Sequence, residues 1–323
     1  MSISVDLLDY LKQYKHVFIQ THNFPDHDSI ASAYGLQYIL KQYGIASDII
    51  YKGDIQRESL NTMIKQLGIN AYSYTDANIT VQDKIILVDS CKGNSNVEEL
   101  IAEEVAVIDH HQVTAPECIR FVDIRPEYGS CSSIIYEYFV DLGITIPRDI
   151  ATALLIGLNM DTAQLTRGVS RNDIVAYSEL YLVCDITFVN SVLRNYIQTQ
   201  DLHFYQKLLD NLVIKEGFAF CYFEGGCNQN LLGIMGDFVM CLQEIEFVVL
   251  CANNTHSINF SIRNENPNLN AAGIIQRALS GIGFGGGHAD MAGGIIKDIS
   301  KFDKTVIFEK FHSMVRKNEI DKA

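Results

Sequence analysis

Three side chains that can bind metals or move protons follow one apolar run of the sequence. Residues 104–108 read Glu-Val-Ala-Val-Ile, and Asp109, His110 and His111 come directly after them. The run predicts a buried strand, and in open α/β sheets ligands collect at the carboxyl ends of strands. A solvated strand end is the alternative. The choice depends on whether other acidic residues reach the same edge of the sheet.

Further acids and a histidine follow comparable segments. His22 ends the predicted strand 16–22, Asp26 and Asp28 follow it, and Pro25 stiffens the turn between them. Asp28 alone would be read as the N-cap of the next helix, which is a common role. Two more acids stand at the ends of a predicted strand, 83–89, and a predicted helix, 148–159; they are Asp89 and Asp161.

Carboxylates that meet at one edge of a sheet repel one another unless a cation neutralises them. The acids and histidines named above provide more ligands than one divalent ion needs. Their number suits two ions about 3.5–4 Å apart. A shell of carboxylates and imidazoles without cysteine favours Mn²⁺, with Mg²⁺ or Co²⁺ as alternatives. The reaction class that such a pair of metals supports is hydrolysis of a phosphoester or phosphoanhydride.

The pattern of elements predicts an α/β protein with two domains. Apolar strands alternate with helices in the first part, which indicates a parallel sheet built from βα units. After about residue 212 short β-rich runs are separated by Gly and Asn turns, which indicates a smaller α+β domain with a mixed sheet. We predict a catalytic domain over residues 1–195, a helical linker over 196–212 and a second domain over 213–323.

Composition limits the function classes. The chain has 323 residues, 48% hydrophobic content and a formal net charge of −14, so a binder of long duplex nucleic acid is not expected. A small anionic substrate in a focused pocket remains compatible with this charge. No apolar run is long enough for a bilayer, the first residues lack a signal-peptide pattern, and the eight cysteines form no CxxC pair. These features predict a cytoplasmic protein with reduced thiols, and they leave a monomer and a homodimer both open.

The order of the motifs resembles the DHH phosphoesterase superfamily. The resemblance covers nearly the whole chain and is carried by His22-x-x-Pro25-Asp26-x-Asp28, Leu87-Val-Asp89, Asp109-His110-His111 and Asp161. It implies that His22 and Asp26 hold a first metal, that Asp28, His110 and Asp161 hold a second, and that Asp89 bridges them. It also implies that His111 faces the substrate phosphate, as a proton donor to the leaving oxygen, and that Asp109 orients a histidine.

The second domain carries a glycine-rich segment, Gly285, Gly286, Gly287 and His288. By itself it is compatible with a tight connection between a helix and a strand, or with an anion-binding loop of backbone N–H groups. It resembles the signature of the DHH-associated domain, which implies that it receives the nucleotide end of a substrate across a cleft between the domains. Arg263 is similar to a phosphate-contacting or base-contacting arginine of that subfamily, and a solvated strand-end arginine is the alternative.

The combination of domains is similar to the nanoRNase and 3′-phosphoadenosine 5′-phosphate (pAp) phosphatase type. This resemblance implies a phosphodiesterase or phosphatase that uses a two-metal-activated hydroxide on short oligoribonucleotides, on the dinucleotide pApA or on pAp. The expected partner is a short single-stranded oligonucleotide or a small nucleotide. A cyclic-dinucleotide or polyphosphate hydrolase of the same fold, and a non-catalytic nucleotide sensor, are the alternatives.

Overall fold

The computed structural model of the protein describes residues 3–94, 96–194 and 197–320. The chain forms two compact units, Met1–Tyr196 and Ile197–Ala323. The predicted domain boundary between residues 195 and 196 lies outside the described residues. Within the described ranges no helix is long and apolar enough to cross a bilayer.

The first unit is organised on a sheet of parallel strands. The strands are β1 (His16–Gln20), β2 (Ala46–Tyr51), β3 (Ala71–Ser73), β4 (Lys84–Val88), β5 (Glu103–Asp109) and β6 (Phe121–Ile124). Their spatial order is β3-β2-β1-β4-β5-β6, and every neighbouring pair is parallel. After β1 the chain adds β2 and β3 on one side of the sheet, and after β4 it adds β5 and β6 on the other side. Ligands of such sheets bind at the carboxyl ends where this direction reverses, which here is between β1 and β4.

Helices cover this sheet, and its central strands are buried on both faces. The helices are α1 (Ile3–Leu11), α2 (His27–Gln42), α3 (Glu58–Leu67), α4 (Cys131–Leu142), α5 (Arg148–Asp161), α6 (Arg171–Val183) and α7 (Ile186–Arg194). Along β4, Ile86 and Val88 pack into one apolar cluster, whereas Ile85 and Leu87 pack into another. Strands buried on both faces have continuous apolar sequences, which explains the runs seen in the sequence.

Two glycines allow helices α2, α4 and α5 to approach one another closely. A Cβ atom at Gly35 would lie 2.8 Å from Cγ2 of Ile135. A Cβ atom at Gly157 would lie 2.4 Å from Oγ of Ser132 and 2.9 Å from Oδ1 of Asp28. The position of α5 against the first turn of α2 therefore depends on the absence of a side chain at residue 157.

The second unit is a mixed sheet with helices. Its elements are α8 (Leu202–Asn211), β7 (Val213–Lys215), β8 (Phe218–Phe223), α9 (Gln229–Met240), β9 (Phe247–Asn253), β10 (Ile258–Asn264), α10 (Ala271–Leu279), β11 (Phe284–Gly287), β12 (Met291–Ile296) and α11 (Lys304–Ile320). The strand order is β11-β12-β10-β9-β8-β7, with β8 and β9 parallel and the other pairs antiparallel. Helix α8, in the segment predicted as a linker, packs Leu208 into the core of this unit.

The predicted fold class, a parallel α/β domain and a smaller domain with a mixed sheet, is confirmed. Strands β3 and β6 and helix α9 were not predicted. Strand β3 spans only Ala71–Ser73, and α9 contains Gly233 and Gly236, which weaken its helical pattern. The prediction of a loop at 285–287 was wrong, because these glycines form β11, an edge strand paired with β12.

We predict that Gly157→Ala destabilises the protein by about 1–3 kcal/mol, because the added methyl group overpacks the contact with Ser132 and Asp28. Alanine is the better helix former by about 1 kcal/mol, so helix propensity alone predicts the opposite sign. Chemical denaturation measures the difference. Gly286→Ala is the control, because nothing lies within 4 Å of its added methyl group. A Gly157→Ala variant as stable as the unsubstituted protein would contradict the packing argument.

Candidate metal centre

The turn between β1 and α2 places His22 and Asp26 side by side. Nδ1 of His22 lies 3.0 Å from the carbonyl oxygen of Asn23, which can only accept, so Nδ1 carries the proton. Nε2 then faces Oδ2 of Asp26 and Oδ2 of Asp89, each at 3.7 Å. Asp26 is the N-cap of α2, since its Oδ1 accepts from the backbone N–H of Ser29 at 3.0 Å.

Asp28 lies in the first turn of α2 and is not the N-cap. Its side chain is buried, and its oxygens accept from the first backbone N–H groups of α4: Oδ2 from Cys131 at 2.7 Å and Oδ1 from Ser132 at 2.9 Å. The N-terminus of a helix stabilises negative charge, so α4 holds this carboxylate in the interior. One helix end therefore positions a side chain from another helix.

Asp89 stands at the centre of the group, directly after β4. Its φ angle is 55°, in the left-handed region that residues with side chains adopt rarely. The residue is 2% exposed, and Oδ1 lies 3.4 Å from Nε2 of His110 and 3.6 Å from Nδ1 of His111. Oδ1 nevertheless has no hydrogen-bond partner among the described residues.

The two histidines after β5 have different partners. Nδ1 of His110 donates to the carbonyl oxygen of Tyr128 at 3.2 Å, which directs Nε2 towards Oδ2 of Asp161, 3.0 Å away. His111 is turned the other way: its Nδ1 lies 2.8 Å from Oδ1 of Asp109, which also accepts from the backbone N–H of His111. Asp109 therefore orients His111, and a backbone carbonyl orients His110.

Asp161 is the last residue of α5, and an unusual turn follows it. Ala163, Gln164 and Leu165 all have positive φ angles, of 47°, 59° and 63°. This left-handed turn brings the guanidinium of Arg167 back, and its Nη2 donates to the carbonyl oxygen of Asp161 at 3.3 Å. Backbone strain of this kind costs about 1–3 kcal/mol per residue and concentrates at functional sites.

The charges of the group are unbalanced without a cation. Burial, and then the negative charges of Asp89 and Asp161, raise the pKa of Asp28 well above its usual range. Burial also raises the pKa of Asp89. Burial favours neutral His22, yet the carboxylates of Asp26 and Asp89 raise the pKa of this imidazole to about 10. The group would bind protons in place of another positive charge.

The side chains fit divalent cations. Three sets, each with ligand atoms within 4.8 Å of one another, are His22, Asp26 and Asp89; Asp28, His110 and Asp161; and Asp89, His110 and His111. Nε2 of His110 and Oδ1 of Asp89 are buried without hydrogen-bond partners in the described part of the chain. Nε2 of His22 and Nε2 of His110 both face carboxylates, and a divalent cation between them would replace the protons and bind the nitrogen lone pairs and the carboxylates together. The six residues predicted as metal ligands all lie in this group.

Two buried networks that the sequence did not reveal hold the group in place. The hydroxyl of Tyr128 donates to Oε1 of Glu137 at 2.6 Å and accepts from Nη1 of Arg125 at 3.2 Å and from Nδ2 of Asn172 at 2.5 Å. These bonds fix the residue whose carbonyl orients His110. Sequence carries no signal for such a role, because any residue type supplies a carbonyl.

The second network centres on Asp173, which is fully buried. Its Oδ2 accepts from the backbone N–H groups of Gly129 at 2.9 Å and Ser170 at 2.8 Å, and its Oδ1 accepts from Oγ of Ser133 at 2.5 Å. These bonds tie α6 to the start of α4, where Asp28 is held. Ser170 and Asp173 form a capping box, a spacing that could have been found in the sequence.

The other predicted site residues lie in the second unit. Arg263 on β10 is 8% exposed and donates to both oxygens of Asp237, from Nε at 2.5 Å and from Nη2 at 3.3 Å. Gly233 and Gly236 of α9 lie against it, which explains why that helix contains glycines. Gly285–Gly287 form the edge strand β11, and the backbone N–H of His288 donates to the carbonyl oxygen of Met291 at 2.7 Å. Their role in substrate binding stays a prediction.

Comparison with known families agrees with this geometry. Residues 16–158 match the model of the DHH family N-terminal domain, and residues 215–315 match the DHHA1 domain. The chain belongs to the DHH family, as its motifs indicated. Membership supports the predicted class of phosphoric ester hydrolase.

Three relatives illustrate the similarity. The chain is 29% identical over 306 residues to the protein MJ1633 of Methanocaldococcus jannaschii, covering 93% of this chain and 62% of the relative. It is 31% identical over 152 residues to a "probable manganese-dependent inorganic pyrophosphatase" of Streptococcus thermophilus, covering 46% and 49%. An exopolyphosphatase-related protein from Bacteroides fragilis has the same fold, with a TM-score of 0.80, 18% identity, and coverage of 99% and 98%. The chain thus spans about half to three fifths of the length of these two sequence relatives.

We predict different effects of removing the two adjacent histidines. His110→Ala removes Nε2, the nitrogen directed towards Asp161 and Asp89, and should lower Mn²⁺ affinity by more than about 100-fold, since even outer hydrogen-bond partners of ligands contribute about 10–100-fold. His111→Ala is the matched control, because Nδ1 of His111 is already hydrogen-bonded to Oδ1 of Asp109. Calorimetric titration with Mn²⁺ measures both affinity and stoichiometry. Loss of one bound ion in His111→Ala would make His111 a ligand and contradict the assignment.

Proposed function

We propose that the chain is a metal-dependent phosphoric ester hydrolase of short oligonucleotides, pApA or pAp. The observation that carries the proposal is the buried carboxylate of Asp89, which forms one set of ligand atoms with His22 and Asp26 and whose Oδ1 lies 3.4 Å from Nε2 of His110, a member of the set with Asp28 and Asp161. Two ligand sets joined by one carboxylate are the arrangement that suits a pair of cations on a phosphoryl group. The family to which the chain belongs supports the same class.

We assign His22 and Asp26 to one cation, Asp28, His110 and Asp161 to the other, and Asp89 to both. Imidazoles and carboxylates without cysteine favour Mn²⁺, and the manganese-dependent relative supports that choice. When bound, two such cations would neutralise charge on a phosphoryl group and lower the pKa of a water molecule. The chain itself supplies the fixed positions, through the helix end at Asp28 and the carbonyl of Tyr128.

His111 is proposed as the proton donor to the leaving oxygen. Its Nδ1 is bonded to the buried carboxylate of Asp109, which stabilises the imidazolium form and fixes the ring. The proton to be transferred would then be on Nε2, and the side chain is 35% exposed. Asp109 would act through His111, as a positioning residue.

The choice of a nucleotide substrate rests on the second unit and on the charge. The DHHA1 match covers residues 215–315, whereas the similarity to the pyrophosphatase extends over only 46% of the chain. The net charge of −14 disfavours long duplexes. We assign the nucleotide end of the substrate to Gly285, Gly286, Gly287, His288 and Arg263. In support, β11 is an edge strand, whose outer N–H groups are not used by the sheet.

The test is a parallel assay of pApA, pAp, a short RNA, cyclic di-AMP and tripolyphosphate, each with Mn²⁺ and with a chelator. We expect Mn²⁺-dependent release of nucleotide or phosphate, fastest from pApA, pAp or the short RNA. Tight Mn²⁺-dependent binding of a nucleotide without turnover would instead support a sensor. Turnover of tripolyphosphate or cyclic di-AMP alone would overturn the substrate class.

The variant His111→Ala adds a control for the role of that residue. Loss of a general acid lowers the rate by about 10²–10⁴-fold when the leaving oxygen needs a proton. A p-nitrophenyl ester has a leaving group that needs none, so its hydrolysis should fall much less. Equal losses for the nucleotide and the p-nitrophenyl ester would show that His111 does not donate the proton.

A further inference from the structure

Phe24 lies within the turn that carries two of the proposed metal ligands. It follows His22 by two residues and precedes Asp26 by two, so its Cα atom is within about 7 Å of theirs. Neither the proposed cation ligands nor the proposed proton donor require an aromatic ring at this position.

The backbone of Phe24 is held in a strained conformation. Its φ angle is 57°, which is unusual for a bulky side chain. Two hydrogen bonds fix this geometry: the N–H of Asn23 donates to the carbonyl oxygen of Asn96 at 2.6 Å, and that of Phe24 donates to Lys52 at 2.7 Å. Strain persists only where the surroundings enforce it, and it concentrates at ligand sites.

The ring of Phe24 packs against Gly53 and remains exposed to solvent. Gly53 has a φ angle of 84°, and a Cβ atom there would lie 2.5 Å from both Cδ1 and Cε1 of the Phe24 ring. The glycine thus lets the ring lie against the backbone. Phe24 is nevertheless 51% exposed, although folding normally buries an aromatic side chain of this size. The structure maintains an open aromatic surface on the turn that carries His22 and Asp26.

We propose that the Phe24 ring stacks on a nucleobase of the substrate whose phosphate lies at Asp89. This inference rests on the proposed function. It narrows the substrates to those in which the sugar attached to the reacting phosphate carries a base. Stacking on an aromatic side chain tolerates any base, because every base presents a π-face. Phe24 would distinguish nucleotides from inorganic phosphates while accepting different sequences.

The first test needs no turnover. The chain contains no tryptophan, so Phe24→Trp introduces a single fluorescent reporter at this position. With Mg²⁺ present, adenosine 5′-monophosphate should quench its emission, and ribose 5-phosphate, which lacks the base, should not. Phe238→Trp is the control, since Phe238 is 42% exposed on α9, and its emission should stay constant. Equal responses to the two ligands, or none to either, would overturn the proposal.

The second test measures specificity. Phe24→Leu keeps apolar bulk without a ring, and it should lower the preference in kcat/KM for pApA over the same compound with an abasic leading residue by about 5- to 100-fold. Phe238→Leu should leave this preference unchanged. A constant preference in Phe24→Leu would overturn the stacking role even if hydrolysis is confirmed. Quenching of Trp emission without any hydrolysis would overturn the proposed function and leave the stacking site standing.

Discussion

The buried carboxylate of Asp89 is the group on which the arrangement of the first unit depends. It is 2% exposed, it lies within 3.7 Å of nitrogen atoms of three histidines, and its Oδ1 has no hydrogen-bond partner in the described part of the chain. A buried charge without partners costs several kcal/mol, and a protein avoids that cost unless something binds there. Without a cation, protons on His22 and His110 balance this charge, since the surrounding carboxylates raise the pKa of both imidazoles. Divalent cations held by these carboxylates and histidines would supply the positive charge in place of protons.

The fold provides this group at a cost in local stability. The reversal of strand order between β1 and β4 brings Asp89 beside the turn from β1, and β5 supplies His110 and His111 next to it. Asp89 itself, Phe24 and residues 163–165 have left-handed backbone conformations, at about 1–3 kcal/mol each. The hydrogen bonds of Asp173 and the first turn of α4 stabilise the surrounding helices and offset part of this strain. A rigid, strained group is the arrangement expected where ligand positions must not relax.

Much of the site could be predicted because it depends on a repeated local pattern. Strands that end in Asp89 and Asp109 are readable from apolar runs, and parallel strands bring their carboxyl ends together. The details depend on contacts between distant residues. From the sequence alone, Asp28 would be read as the N-cap of α2. In the structure Asp26 is the N-cap, and Asp28 instead accepts a hydrogen bond from the first backbone N–H of α4. Helix α9 and strand β11 were not predicted because both contain glycines, which lower helix and strand propensity. The glycines of α9 make room for Arg263, and those of β11 allow close approach to β12.

The central claim is that Asp89 is shared by two cations. Crystals grown with Mn²⁺ and measured at wavelengths on either side of the manganese absorption edge test it most directly. We expect two anomalous peaks in the first unit, one beside His22 and Asp26 and one beside Asp28, His110 and Asp161, with Asp89 contacting both. A single peak, or two peaks that do not share Asp89, would contradict it.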